Sequence, residues 1–108
     1  MNSNPDHQLG VIASFTLVPI GGDLSLSPYI AACEDFLAST GLSFDLHANG
    51  TNIEGDWEEV LNAIRKCHEI VHTMGVPRIH TSIQLGTRTD RVQTMKSKIE
   101  SVRIKQSR

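Results

Sequence analysis

No apolar run in this chain approaches the ~18 residues that a membrane-spanning helix needs, and neither sign of charge dominates. Ten Lys and Arg against twelve Asp and Glu leave a formal net charge of −2. A protein that tracks a phosphate backbone carries a basic excess, so no nucleic-acid partner is expected. Cysteine is scarce. Cys33 and Cys67 stand in no CxxC or Cys/His ligand spacing, which fits two reduced, buried thiols better than a disulfide framework. Aromatic rings are few as well, with one Trp, one Tyr and three Phe. The opening Met-Asn-Ser-Asn-Pro-Asp-His-Gln lacks the basic and apolar regions of a signal peptide, so the expected location is cytoplasmic, with no membrane partner. A nucleophile elbow, a P-loop and a GxGxxG run are all missing, and no catalytic residue is assigned.

What is present is an ordinary globular composition, 39% hydrophobic and 20% charged over 108 residues. That length holds one core and no second. Residues 1–9 read as a polar arm, and 10–108 as a single domain. Within it, 11–18 alternates Val11, Ala13, Phe15 and Leu17 with Ile12, Ser14, Thr16 and Val18, the period of a strand that breaks at Pro19-Ile20-Gly21-Gly22-Asp23. Ser27 followed by Pro28 predicts an N-cap and first-turn proline for a helix that Gly41 ends. Phe44, Leu46 and Ala48 alternate with Ser43, Asp45 and His47 in a second strand. Asn49-Gly50 then predicts a hairpin turn with positive φ at both centres, returning the chain through a third strand at 51–54. Asp56 caps a long helix whose Trp57, Val60, Leu61, Ile64, Cys67, His68, Val71 and Met74 share one side up to Gly75. Ile79, Thr81, Ile83 and Leu85 alternate with Arg78, His80, Ser82 and Gln84 in a fourth strand that stops at Gly86. A last helix over 92–104 carries a narrow stripe of Val92, Met95, Ile99 and Val102.

This order predicts an α+β, ferredoxin-like βαββαβ fold: an antiparallel four-stranded sheet with two helices on one face, plus a C-terminal helix. Right-handed crossovers place the first strand between the third and the fourth. Only the C-terminal helix is left to cover the other face. By alternation that face carries Ile12, Ser14, Thr16, Val18, His47, Arg78, His80, Ser82 and Gln84. Such a mixture is too apolar for solvent and too polar for a dry core, which implies an oligomer interface, a ligand surface or both.

His68 and His72 lie four apart on one helix, but with no carboxylate at the position HExxH proteins use and no third ligand, so no metal is assigned. His47 and His80 could approach across the open face, as interface residues or as ligand contacts. Asp56 is explained as a helix cap, whereas Glu54, at the end of a short strand, could receive a cationic or amine-bearing ligand. Gly86-Thr87-Arg88-Thr89-Asp90-Arg91 is a surface turn or a holder of anions. Arg88, Arg91, Lys96, Lys98, Arg103, Lys105 and Arg108 face only Asp90 and Glu100 late in the chain, giving a solvated helix face and tail in preference to an anion or nucleic-acid site.

The ordered set Val18-Pro19-Ile20-Gly21, Gly50-Thr51-Asn52-Ile53-Glu54-Gly55, Trp57 with Val60, the helix over 64–74 and Arg78-Ile79-His80-Thr81-Ser82-Ile83 resembles the small thiamine-binding, YkoF-like family, its fungal members most of all. The likeness spans about residues 10–104. It implies binding of thiamine or its hydroxymethylpyrimidine part as ligand, without catalysis or a further cofactor. It also implies homodimers that pair into a homotetramer through their sheets. Thiamine offers an aminopyrimidine that wants paired donors and acceptors and a thiazolium that wants a carboxylate or an aromatic face. Strand face and motif position then nominate Ser14, Thr16, Asp45, Thr51, Glu54, Thr81 and Ser82 as ligand-binding residues.

Overall fold

The structure, a computed structural model, describes residues 9–22, 25–90 and 95–106. The arm over 1–8, Asp23, Arg91, Val92 and Arg108 lie outside the described residues. The elements run β1 (Gly10–Ile20), α1 (Ser27–Thr40), β2 (Ser43–His47), β3 (Gly50–Asp56), α2 (Trp57–Thr73), β4 (Arg78–Thr87) and α3 (Met95–Gln106). The four strands form one antiparallel sheet in the order β2-β3-β1-β4. This is the ferredoxin-like arrangement that the element order predicts.

One face of the sheet and both long helices make the core. Val11, Ala13 and Phe15 of β1 and Ile53 of β3 are buried against Tyr29, Cys33 and Leu37 of α1 and Val60, Ile64, Cys67 and Val71 of α2. Leu37, Ile53, Val60 and Val71 are wholly withdrawn from solvent. Each such side chain contributes roughly 1.5–3 kcal/mol of transfer free energy, enough to fix which strand parity faces the helices. The two thiols belong to this layer. The Cys33 thiol donates to the Cys67 carbonyl at 3.8 Å, and hydrogen bonding with Cys33 together with burial pushes the Cys67 thiol upward.

Local chemistry departs from the sequence reading at three points. In the hairpin, His47 pairs with Gly50, so Ala48 and Asn49 are the central turn residues. Neither has positive φ, and Gly50 has none either. Gly50 is required instead by close approach: a Cβ there would come within 2.6 Å of the Phe15 carbonyl oxygen and 2.8 Å of Thr16 Oγ1. At α1 the N-cap is Leu26, one residue earlier than expected, and the Ser25 hydroxyl accepts from the Ser27 amide at 3.3 Å. Gly41 does close the helix in the left-handed conformation, at φ 79°. Finally, β1 runs through Pro19 to Ile20. Its pairing with β3 ends at Phe15↔Thr51 while pairing with β4 continues to Ile20↔Arg78, so beyond Phe15 the strand is an edge and tolerates a missing donor.

At α2 the Asp56 side chain accepts from the Glu58 amide at 3.3 Å, as its position predicts. Trp57, the first residue of that helix, is 39% exposed and lies beside Leu61 and Arg65 instead of filling the core. Among the described residues no helix is long and apolar enough to cross a membrane.

Candidate functional site

Strand register assigns every polar residue of the sheet to a face. Opposite the helices, Ser14 pairs with Gln84 and Asn52, Thr16 with Ser82, Val18 with His80, Asp45 with Asn52, and Glu54 with Ile12 and Ser43. The open face therefore carries Ser14, Thr16, Asp45, Glu54 and Ser82 together. It does not carry the remaining two nominees. Thr51 shares the parity of buried Ile53, is 6% exposed, and donates its hydroxyl to Glu34 Oε2 of α1 at 3.1 Å. Thr81 shares the parity of Ile79, Ile83 and Leu85, and its Oγ1 lies 2.6 Å from His68 Nε2 of α2. Both hydroxyls tie sheet to helix. The alternation of β3 and β4 carries this signal already, because Thr51 lies two residues from buried Ile53 and Thr81 two from Ile79, which packs against the core, and residues two apart on a strand share a face.

On the open face a small network forms around the β2–β3 turn. Asn49 donates its amide to His47 Nδ1 at 3.2 Å, and its carbonyl accepts from Thr16 Oγ1 at 2.6 Å. His47 Nε2 lies 3.1 Å from Ser14 Oγ. An Nδ1 that accepts a backbone N–H carries no proton, so in the neutral ring the proton sits on Nε2 and His47 donates to Ser14. Ser82, exposed and directly across from Thr16, adds a third hydroxyl. His80 lies beyond the end of the β1–β3 pairing, opposite Val18, and takes no part in this network.

Glu54 has a structural partner. Its Oε2 accepts the amide of Met95, the first residue of α3, at 3.1 Å. A carboxylate at a helix N-terminus satisfies an orphan donor and complements the helix dipole. This contact starts α3 over the open face, yet the helix does not settle onto it. Ile99 and Val102 remain 51% and 53% exposed. Between α3 and the β1/β4 side of the sheet lies a cleft of about 1200 Å³. Ile12, Ser14 and Gln84 form its floor, Arg88 one end, and Lys98 and Arg103 its helical wall. In the turn leading to α3, Arg88 pairs with Asp90 through Nε and through Nη2 at 2.8 Å, which pushes the guanidinium pKa further up.

The histidine pair on α2 is committed elsewhere. His68 meets Thr81, and burial followed by the nearby His72 lowers its pKa below the ordinary value. His72 Nδ1 donates to the Val76 carbonyl at 2.8 Å. Among the described residues no three His, Cys, Asp or Glu groups converge as a metal site requires.

Comparison with known proteins places this geometry. A UPF0045 protein of Synechocystis is 52% identical over 94 residues, spanning 87% of this chain and 78% of the relative. The UPF0045 protein ECM15 of Eremothecium gossypii is 39% identical over 101 residues, spanning 93% and 96%. A crystal structure of a Methanocaldococcus jannaschii protein superposes with a TM-score of 0.78 at 28% identity, covering 86% of this chain and 95% of that one. A Thermotoga maritima protein proposed to act in thiamine biosynthesis or salvage shares the fold, with a TM-score of 0.72 at 18% identity over 86% and 98% of the two chains. The family model for thiamine-binding proteins matches residues 13–103. With five-sixths of its length under that model, this chain belongs to the thiamine-binding protein family.

Proposed function

We propose that the open face of the sheet binds thiamine or its hydroxymethylpyrimidine part, without catalysis, at or near an interface where homodimers pair into a homotetramer. The observation that carries this reading is the row of hydroxyls at Ser14, Thr16 and Ser82 on a face that no helix covers closely. Two of them are held in place by His47 and Asn49, so donors and acceptors are positioned before a ligand arrives. An aminopyrimidine edge needs such alternating partners, and Asp45 on the neighbouring strand supplies a carboxylate for the amino group or the thiazolium charge. Glu54 contributes through its second oxygen, the first being engaged by α3. Val18 and Ile20, 39% and 42% exposed on the same face, suit an apolar contact with a second subunit.

Ser14 beside His47 resembles a nucleophile with its base, but the tautomer opposes that use. A general base accepts the nucleophile's proton on the facing nitrogen, and here that nitrogen already carries one. The pair therefore supports a ligand-holding role for Ser14 over use as a nucleophile. Calorimetric titration of the full chain with thiamine and with hydroxymethylpyrimidine is expected to show saturable binding. Absence of both heat and thermal shift at millimolar ligand contradicts the reading. A second reading, assembly without a small ligand, is favoured by the same exposed Val18 and Ile20. Ser14→Leu with Ser82→Leu separates the two: assembly altered with no ligand effect to lose supports the second.

A further inference from the structure

We propose that the cleft between α3 and the open sheet face is an anion subsite, and that it receives the phosphate groups of a phosphorylated thiamine. The inference rests on the thiamine reading of that face and sharpens it to a ligand class. Among the described residues, Lys98 and Arg103 of α3 line the cleft together with Arg88, whose guanidinium is paired with Asp90, and no carboxylate belongs to the lining. This is notable in a chain with more acidic than basic residues, whose carboxylates on the open face, Asp45 and Glu54, belong instead to β2 and β3. Charge on the face is therefore graded: Asp45 lies toward the β2 edge, Glu54 reaches the first residue of α3, and Lys98 and Arg103 stand over the β1/β4 side.

Unmodified thiamine is a cation and gains nothing from the basic side. A diphosphate ester carries charge of both signs on one molecule, and this face offers a complement to each. Geometry supports the same gradation. Lys98 and Arg103 share the cleft-facing side of α3 with Ile99 and Val102, and across the cleft Ser14 and Gln84 connect it to the hydroxyl row. The floor of the cleft and the proposed pyrimidine site therefore share Ser14, so a single extended ligand spans both. Thr87 and Thr89, at the same end as Arg88, add hydroxyl donors of the kind that hold phosphate oxygens.

The test is calorimetric titration of the full chain with thiamine, thiamine diphosphate and inorganic diphosphate, each at low and at high salt. Thiamine diphosphate is expected to bind about tenfold more tightly than thiamine at low salt, with the advantage shrinking as salt rises. Lys98→Gln with Arg103→Gln is expected to erase the difference, and Lys98→Arg to retain it. Both side chains are exposed, so these variants leave the fold intact. Equal affinity for thiamine and its diphosphate, or a difference that survives the double variant, overturns the anion subsite while leaving thiamine binding standing. Inorganic diphosphate that binds through Lys98 and Arg103 while no thiamine species binds supports the subsite and overturns the thiamine reading on which its ligand class rests.

Discussion

The two faces of this sheet carry hydroxyl side chains in similar number and put them to different uses. On the helix face, Thr51 and Thr81 each meet one ionisable partner from the layer above, Glu34 and His68. On the open face, Ser14 and Thr16 meet partners from the neighbouring hairpin, and Ser82 faces solvent. A hydroxyl sealed between layers has its hydrogen bonds chosen by packing and contributes to stability. One on an open face keeps bonding capacity that a ligand can use. The covering layer, more than the residue type, decides which role a threonine or serine takes.

Perturbing the closed side should produce the largest effects. Leu37→Ala, at a side chain with no exposed surface, is expected to lower stability by about 2–5 kcal/mol, against no more than about 0.5 kcal/mol for Ser82→Ala, both read from denaturant unfolding. Gly50→Ala comes next. Its new Cβ meets backbone at 2.6 Å, so a loss of about 1–3 kcal/mol is expected, whereas Gly86→Ala, with nothing within 4 Å, should be near neutral. Equal melting temperatures for the two glycine variants would show that the hairpin shifts freely away from β1.

The smallest of these effects depends on pH. His68 has a folded pKa below its ordinary value, first because of burial and then because of His72. The unfolded chain therefore takes up this proton first as pH falls. Stability present above about pH 6.5 declines as pH drops through that value, until the folded state also protonates. Thermal melts of the wild type and His68→Gln at pH 7.5 and 5.5 should show a shallower pH dependence in the variant. An unchanged slope removes His68 from the account.

Much of this contrast is legible in the sequence. The alternation of β1 and β4 assigns Ile12, Ser14, Thr16, Val18, His80, Ser82 and Gln84 to the open face, and register confirms it. The same alternation puts Thr51 with Ile53 and Thr81 with Ile83, although motif position alone groups them with the ligand residues. Other features depend on contacts across long sequence separations. The Ser14–His47 bond joins residues 33 apart, and Met95 reaches Glu54 over 41. No local pattern reports either, because each depends on strand order and on where α3 begins. The basic residues near the C-terminus are visible as a cluster, but only folding shows that Lys98 and Arg103 share a cleft with Arg88. Asn49-Gly50 marks the hairpin correctly for a reason other than φ: the glycine makes room for β1.

The division between the faces is tested most directly by the thiamine dissociation constants of two single-hydroxyl variants, Ser82→Ala on the open face and Thr51→Val on the closed one, measured under conditions where both are folded. Loss of one ligand hydrogen bond should weaken binding about fivefold in Ser82→Ala, while Thr51→Val binds as the wild type does and is less stable. Weakened binding in folded Thr51→Val, with Ser82→Ala unchanged, would contradict the account and move the ligand to the helix face.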